Sequence, residues 1–519
     1  MTTEIAATSA GLVRGAIERG GIVVFRGIPF AAPPTGELRF APPAPVTAWE
    51  GERAAIDFGP SSLQNVDPLS MVIPGAERIY YPPRTGLFAE DCLYLNVCTP
   101  GIDDEARPVL VWIHGGGYMT GSGSAEWYDG TNLALKNDVV IVTFNYRLGI
   151  LGGLFLGDID PSAANFGLRD QVAGLDWVRC NISQFGGDPQ NVTIFGQSAG
   201  GMAVGSLLIS PLSQGLFQRA IMQSGNVANF FPLSHAEWTK QRILEALQIK
   251  PGNVLAELRD VSILRLLEVQ RTLRQLMFPV LDDMTIPADP LDTIRQGRAA
   301  DVPMMIGNTA AEDKLFHLTG MPVPEPGFDL RAGLEDLLGA GSSALAARAA
   351  ELYRHGSALA DADLWDLAIS DARRLLPSRQ LADAHASAGR PTFMFEFAIE
   401  STARGGTIGA AHEIDVPFVF DALDKNGVDE LLGSDLVADP AVRKLAGQVG
   451  AAWATFARDG KPKLDSIPSW PCYEQNARAT VILDRIPSVS PDHNRDRLDF
   501  WEAHCPAYPL AVPFPSPGQ

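Results

Sequence analysis

Asn191-Val-Thr-Ile-Phe-Gly196-Gln-Ser198-Ala-Gly200-Gly201 is the stretch that decides the fold. The β-branched and aromatic residues Val192 to Phe195 form a strand that runs directly into Gly-x-Ser-x-Gly. A small-residue helix follows, carrying Ala199, Gly200, Gly201, Ala203 and Gly205. A serine projecting from so tight a strand-to-helix turn needs neighbours without side chains, which glycines two residues to either side provide. The new helix also directs N–H groups and partial positive charge towards that serine. A chain of 519 residues with 50 glycines can reach the bare pattern by chance, so its surroundings decide the matter.

Upstream, Val109-Leu-Val-Trp-Ile113 reads as a strand ending in His114-Gly-Gly-Gly117-Tyr118. Attack by a serine on a carbonyl creates an oxyanion that needs preorganised donors. Successive glycines let backbone N–H groups approach it, and the N–H of Ala199 completes the set. A glycine loop after a strand also suits phosphate. Here no Lys-Ser/Thr follows the glycines, and Thr120-Gly-Ser-Gly-Ser124 stands where a helix would have to begin.

Further short apolar runs cover Val139 to Phe144, Ala220 to Met222, Pro303 to Ile306 and Phe393 to Phe397. Continuous runs of this length predict strands buried on both faces of a largely parallel sheet. Helical stretches such as Leu168 to Val178 alternate with them, which gives an α/β layered class. With the serine turn and the glycine loop, the expectation is an α/β-hydrolase fold over residues 1–519 as a single catalytic domain. Two blocks, about 234–276 and 328–388, read as helical insertions that cap one end of the sheet or lie on its surface. Residues 1–60 read as a preceding hairpin region, and the tail from Pro506 to Pro517 as irregular.

In this fold the chain order is nucleophile, acid, histidine. Seven histidines follow Ser198, among them His317; His235, His355 and His385 fall in the helical blocks, and His493 and His504 lie towards the C-terminus. His412 sits in the loop after the Phe393–Phe397 run, Gly405-Gly-Thr-Ile-Gly-Ala-Ala-His412-Glu-Ile-Asp415, where an imidazole can meet the serine. The run ending at Ile306 continues Gly307-Asn-Thr-Ala-Ala-Glu312-Asp313, and either carboxylate can orient a histidine. This chemistry needs no metal or organic cofactor.

Composition narrows the class further. The net charge of −20, from 61 acidic and 41 basic residues, repels phosphate backbones, and no Lys/Arg run offsets it; no nucleic-acid partner is expected. No apolar run approaches the roughly eighteen residues of a membrane helix, so no membrane partner is expected either. Met1 to Ala10 lacks the basic start and apolar core of a secretory signal, which predicts a cytoplasmic protein. The five cysteines, Cys92, Cys98, Cys180, Cys472 and Cys505, form no CxxC pair and predict reduced thiols rather than a disulfide framework or zinc site. The sequons at Asn181 and Asn191 are then chance matches.

The chain resembles the type-B carboxylesterase family, which includes bacterial p-nitrobenzyl esterases, animal carboxylesterases and cholinesterases. The likeness is carried by Phe25-Arg-Gly-Ile-Pro-Phe30-Ala, Glu90-Asp-Cys-Leu-Tyr-Leu-Asn96-Val, His114-Gly-Gly-Gly and Asn145-Tyr-Arg-Leu-Gly149. It continues through Phe185-Gly-Gly-Asp-Pro to Ser198-Ala-Gly-Gly and through Gly409-Ala-Ala-His412-Glu-Ile-Asp-Val-Pro-Phe. The resemblance implies a serine carboxylesterase acting on a small-molecule ester, with Ser198 as nucleophile, His412 as base and Glu312 as acid. It implies an oxyanion hole of Gly116, Gly117 and Ala199, and a supporting role for Ser224. It places Phe278, Leu315 and Phe316 in segments that line the acyl pocket.

The departures are equally specific. Gln197 stands where many members carry Glu, and Asp313 where Gly is usual. Cys92 matches a cysteine that is disulfide-bonded in secreted members, but Gly59 to Gln64 supplies no partner. The choline-binding tryptophan would fall near Pro82, beside Tyr80 and Tyr81, where there is no Trp. Two alternatives share the fold: a carbamate or amide hydrolase with the same residues, and a non-catalytic interaction protein like the neuroligins.

Overall fold

Apolar side chains that alternate along both faces of a strand need cover on both faces, and the central sheet is built to meet that need. The protein is represented by a computed structural model that describes residues 2–65, 88–273, 276–318, 324, 327–339 and 341–504. Tyr80, Tyr81, Pro82, Cys505 and the proline-rich tail lie outside the described residues.

The N-terminal strands are β1 (Thr3–Thr8), β2 (Gly11–Ile17), β3 (Val23–Pro29) and β4 (Glu52–Ala54). Two short strands, β5 (Ser61–Ser62) and β6 (Phe88–Ala89), pair with each other. Then come β7 (Tyr94–Thr99), β8 (Arg107–Ile113), β9 (Val140–Phe144), β10 (Gly187–Gln197) and β11 (Arg219–Gln223). The last four are β12 (Met304–Thr309), β13 (Thr392–Phe397), β14 (Thr480–Leu483) and β15 (Ser488–Ser490). The large sheet runs β1-β2-β3-β7-β9-β8-β10-β11-β12-β13-β14-β15, with β4 beside β2. From β9 to β14 every pairing is parallel, and the outer pairings of β1, β2, β3, β7 and β15 along this path are antiparallel. All six predicted strands are present, and the chain has an α/β-hydrolase fold.

The apolar alternation sorts the core into two layers. Val109, Val111 and Ile113 of β8 face one cluster, which includes Leu175, Val178 and Leu207 from the helices Phe166–Asn181 and Ala199–Ile209. Leu110 and Trp112 face the other, with Leu445, Val449 and Trp453 of the helix Pro440–Asp459. The two helical blocks carry smaller clusters of their own. Ile243, Leu258, Leu266 and Val269 pack with Phe40 and Ile150. Leu334, Ala349, Leu364 and Leu376 pack with Leu498 and Trp501. The second block contains helices Leu330–Leu338, Ser343–Arg354, Asp361–Ser370 and Leu376–Ser387, with a π-helical turn at Asp371–Leu375. Among the described residues no helix is long and apolar enough to cross a membrane.

Topology singles out one end of the sheet. The chain passes from β8 to β9 on one side and returns to β10 on the other, so the strand order reverses at β8. In open α/β sheets, ligands bind in the crevice beyond the carboxyl ends of the strands at such a reversal. Register brings the ends of β8, β10 and β11 level with Gly307 of β12: Ile113 faces Gly196, Gln197 faces Gln223, and Gln223 faces Gly307. His114, Ser198, Ser224 and Asn308 are the residues that follow.

Candidate active site

Ser198 leaves β10 with φ 57° and ψ −126°, a backbone conformation that non-glycine residues rarely adopt. Strain of this kind costs about 1–3 kcal/mol and persists only where the surroundings enforce it. Here the Ser198 N–H donates to the Gln223 carbonyl at 2.9 Å, and the Ser198 carbonyl accepts from Met202 N–H at 2.9 Å. Gly200 then crosses β8 so closely that a Cβ would lie 1.9 Å from the Ile113 carbonyl oxygen. Backbone cannot yield there. Gly200→Ala is therefore expected to lower stability by about 3 kcal/mol or more, read from urea denaturation. A change below about 0.5 kcal/mol would show that this contact does not hold the turn.

The glycine loop sits against the same turn. A Cβ at Gly115 would lie 3.2 Å from that of Ser198. Gly116, at φ 100°, closes a turn in which its carbonyl accepts from Met119 and Thr120 at 3.0 and 2.9 Å. The N–H groups of Gly116, Gly117 and Ala199 have no hydrogen-bond acceptor among the described residues. Ser198, Gly116 and Gly117 are partly exposed while Gln197, Ala199 and Gly115 are buried, so solvent reaches this crevice. His114 is buried instead. Its ring stacks on Tyr146 with centroids 4.4 Å apart, its Nδ1 meets the Gly115 carbonyl at 2.9 Å, and burial holds its pKa down at about 4. A neutral His114 is part of the loop's frame.

The other side of the site is a buried hydrogen-bond chain. Ser224 Oγ donates to Glu312 Oε1 at 2.6 Å, and the Thr309 N–H donates to the same oxygen at 2.8 Å. Glu312 Oε2 pairs with His412 Nδ1 in a short contact. The backbone laces the two loops together: His412 N–H donates to the Glu312 carbonyl at 3.3 Å, and Ala311 N–H to the Ala410 carbonyl at 2.9 Å. Burial alone would push the Glu312 carboxyl up, but the charge and hydrogen bond of His412 prevail, and it lies well below the usual carboxylate range. For His412 burial works against the imidazolium, but the Glu312 carboxylate prevails and raises its pKa.

With its Nδ1 proton directed at Glu312, neutral His412 presents a lone pair at Nε2. The Gln197 side-chain amide lies 3.2 Å from that nitrogen. The Ser198 hydroxyl makes no hydrogen bond among the described residues. Unliganded sites commonly leave such contacts loose until substrate is bound.

Ser198, His412, Glu312, Ser224, Gln197 and the glycine loop thus meet in one crevice. Asp313 turns elsewhere: Ser370 Oγ donates to its Oδ2 at 3.3 Å. The three pocket candidates separate. Phe316 packs on His412 with ring centroids 5.2 Å apart. Phe278 packs on Tyr118, the residue after the glycines, at 5.9 Å. Leu315 is buried in the core cluster on the Trp112 face of the sheet.

Sequence reasoning did not single out Thr309, Asp415 or Arg374. Asp415 accepts from Gln223 Nε2 at 2.7 Å beneath the site, and burial lifts its carboxyl to about 6. It lies three residues beyond His412, close enough for that spacing to have drawn attention to it. Cys92 and Cys98 are buried free thiols, and Cys180 and Cys472 are exposed free thiols. Among the described residues no group of three or more His, Cys, Asp or Glu could hold a metal ion.

Comparison with known proteins covers nearly all of this architecture. A family model described as the carboxylesterase family matches residues 2–501. The para-nitrobenzyl esterase of Bacillus subtilis is 36% identical over 512 residues, spanning 96% of this chain and 98% of its own. The phenmedipham hydrolase of Pseudarthrobacter oxydans is 34% identical, spanning 93% of this chain and 95% of its own. The crystal structure of the Geobacillus stearothermophilus carboxylesterase EST55 superposes with a TM-score of 0.83 at 34% identity, covering 96% of this chain and 99% of that one.

Proposed function

The chain belongs to the carboxylesterase family and is a carboxylic ester hydrolase, and from that premise we propose that it works in two steps through Ser198, His412 and Glu312. His412 Nε2 takes the Ser198 proton as Oγ attacks the ester carbonyl. The N–H groups of Gly116, Gly117 and Ala199 receive the oxyanion. His412 then returns the proton to the departing alcohol, which leaves an acyl-serine, and water attacks that acyl-serine by the reverse sequence. Glu312 fixes the Nδ1-protonated form of the ring and stabilises the imidazolium while it exists.

The observation that carries this reading is the chain Ser224–Glu312–His412. It satisfies both carboxylate oxygens and leaves the one basic nitrogen, Nε2, on the side of the strained Ser198 turn. A fluorophosphonate probe tests it directly. One equivalent is expected to bind covalently, and mass spectrometry of the digest should place it on Ser198. A folded chain that takes up no probe, or takes it up elsewhere, would remove Ser198 from the role.

The imidazole must be neutral to act as base, so activity is lost as pH falls through its raised pKa. The acid limb of kcat/KM is expected above about 6.5, where an unperturbed imidazole titrates. Gln197→Glu places a carboxylate beside Nε2 and favours the imidazolium further, which moves that limb upward by about one unit. An unmoved limb in a pH–rate profile of the variant would mean that residue 197 does not act on His412.

A further inference from the structure

Beside the Glu312–His412 pair lies a cationic cluster that the two-step reaction does not use. The π-helical turn Asp371–Leu375 presents Arg373 and Arg374 in succession. Such turns interrupt α-helices rarely, and often at functional sites. Arg374 Cζ lies 5.3 Å from the centroid of the Phe316 ring, which also packs on the His412 ring at 5.2 Å. The guanidinium is therefore one aromatic ring away from the reacting imidazole. Its charge reaches both His412 and Glu312.

Among the described residues neither guanidinium makes a hydrogen bond. Arg374 Nε is buried without a hydrogen-bond acceptor, and its nearest carboxylate oxygen, Asp313 Oδ1, is 3.9 Å from Nη2. Arg373 has no hydrogen bond or ion pair among the described residues, and burial already lowers its pKa. Asp313 is a poor counter-charge, because its own burial raises its pKa.

The other carboxylates around this turn are engaged elsewhere. Asp363 binds Lys314 at 2.9 Å and Asp366 binds His317 at 2.6 Å. Asp371 accepts from Tyr353 at 2.6 Å and pairs with Arg497 at 3.0 Å. The two adjacent guanidinium groups have Asp313 beside them, and Arg374 also acts on the Glu312 charge. A half-buried guanidinium without a hydrogen-bond acceptor leaves strong, directional donors unsatisfied.

We propose that Arg373 and Arg374 form an anion subsite for a carboxylate borne by the ester substrate, so that the preferred esters carry a free carboxyl group in the acyl or the alcohol half. The proposal rests on the two-step reading given above and names its substrate class. A guanidinium suits a planar carboxylate, which it can engage through two parallel N–H bonds. Phe316 separates that charge from His412, so the carboxylate would be held near the imidazole without touching it.

Steady-state kinetics with matched esters test this. One arm compares mono(p-nitrophenyl) glutarate with p-nitrophenyl butyrate, which places the charge in the acyl half. The other compares 4-carboxyphenyl butyrate with phenyl butyrate, which places it in the alcohol half. For the parent enzyme one anionic ester is expected to have a KM at least about tenfold below its neutral partner, and the arm that shows it identifies the half recognised. Arg374→Gln and, separately, Arg373→Gln should raise that KM about tenfold more than they raise the neutral ester's, with little change in kcat. Arg373 does not stack on Phe316, so its variant gives a readout independent of any disturbance to that ring. Parent enzyme that hydrolyses the neutral esters with no preference for either anionic one would overturn the subsite alone. So would variants that shift charged and neutral esters by the same factor. Hydrolysis of none of the four would overturn the ester reading as well.

Discussion

Ser198→Ala is expected to lower kcat on p-nitrophenyl butyrate by about 10⁶-fold, with binding of the ester little changed. The effect is this large because the remaining groups act only through the serine. Without Oγ, His412 has no proton to take and no acyl intermediate forms. What remains is the weaker stabilisation of a water attack by the Gly116, Gly117 and Ala199 donors. Alanine keeps a Cβ on the same strained backbone, and the Gln223 carbonyl and the Gly200 crossing still hold the turn. The variant should therefore melt close to the parent, which separates loss of chemistry from loss of fold. Activity within tenfold of the parent, after correction for contamination, would transfer the nucleophile elsewhere.

Glu312→Gln is expected to cost about 10⁴-fold in kcat. The amide is nearly isosteric, but it brings an NH₂ group into a place built to receive four donors: Ser224, Asn308 Nδ2, Thr309 N–H and His412 Nδ1–H. One of these contacts must fail. His412 then loses both its orientation and the charge that stabilises the imidazolium, and its acid limb should fall as the raised pKa returns towards that of free imidazole. Asp313→Asn is the control. Asp313 makes its contacts with Ser370 and the Arg374 side, not with His412, so its loss in kcat should be smaller by at least a hundredfold. Equal losses in the two variants would show that the adjacent carboxylates share the role.

The parts legible from sequence are those in which local chemistry and tertiary position coincide. Strands β8 to β13 are buried on both faces, so Val109–Ile113 and its counterparts read as unbroken apolar runs. Strand β10 begins earlier than its apolar run suggests, because Gly187-Asp-Pro-Gln-Asn191 has the composition of a turn and pairs with β8 only across a register shift. Strand β14 spans only four residues, too few for a periodic signal to emerge. Ser198 and the glycine loop were readable because strained backbone selects glycines at fixed offsets.

The remaining parts depend on how distant segments meet. Without the family likeness Glu312 and Asp313 are equivalent as sequence, and the backbone lacing between Ala311 and Ala410 accompanies the arrangement in which Glu312 meets His412. Likewise Leu315 and Phe316 are neighbours on one short helix, and its orientation sends the first into the core and the second onto the imidazole. Arg374 comes from a helical block whose own residues give no sign that it approaches the Glu312 loop.

Those helical blocks each build an apolar cluster of their own, while Ala236 of the first and Leu381, Ala382 and Ala384 of the second also join the layer on the Val109 face of the sheet. Substitutions in distant clusters combine almost independently, so a changed side chain in a block is absorbed there before it disturbs the strand ends. The division has an evolutionary meaning. The strained serine turn, locked by Gly200 against Ile113, tolerates almost no drift, while the clusters within the helical blocks can be repacked one at a time. In such a chain the helical layers can diverge while the strand ends stay as they are.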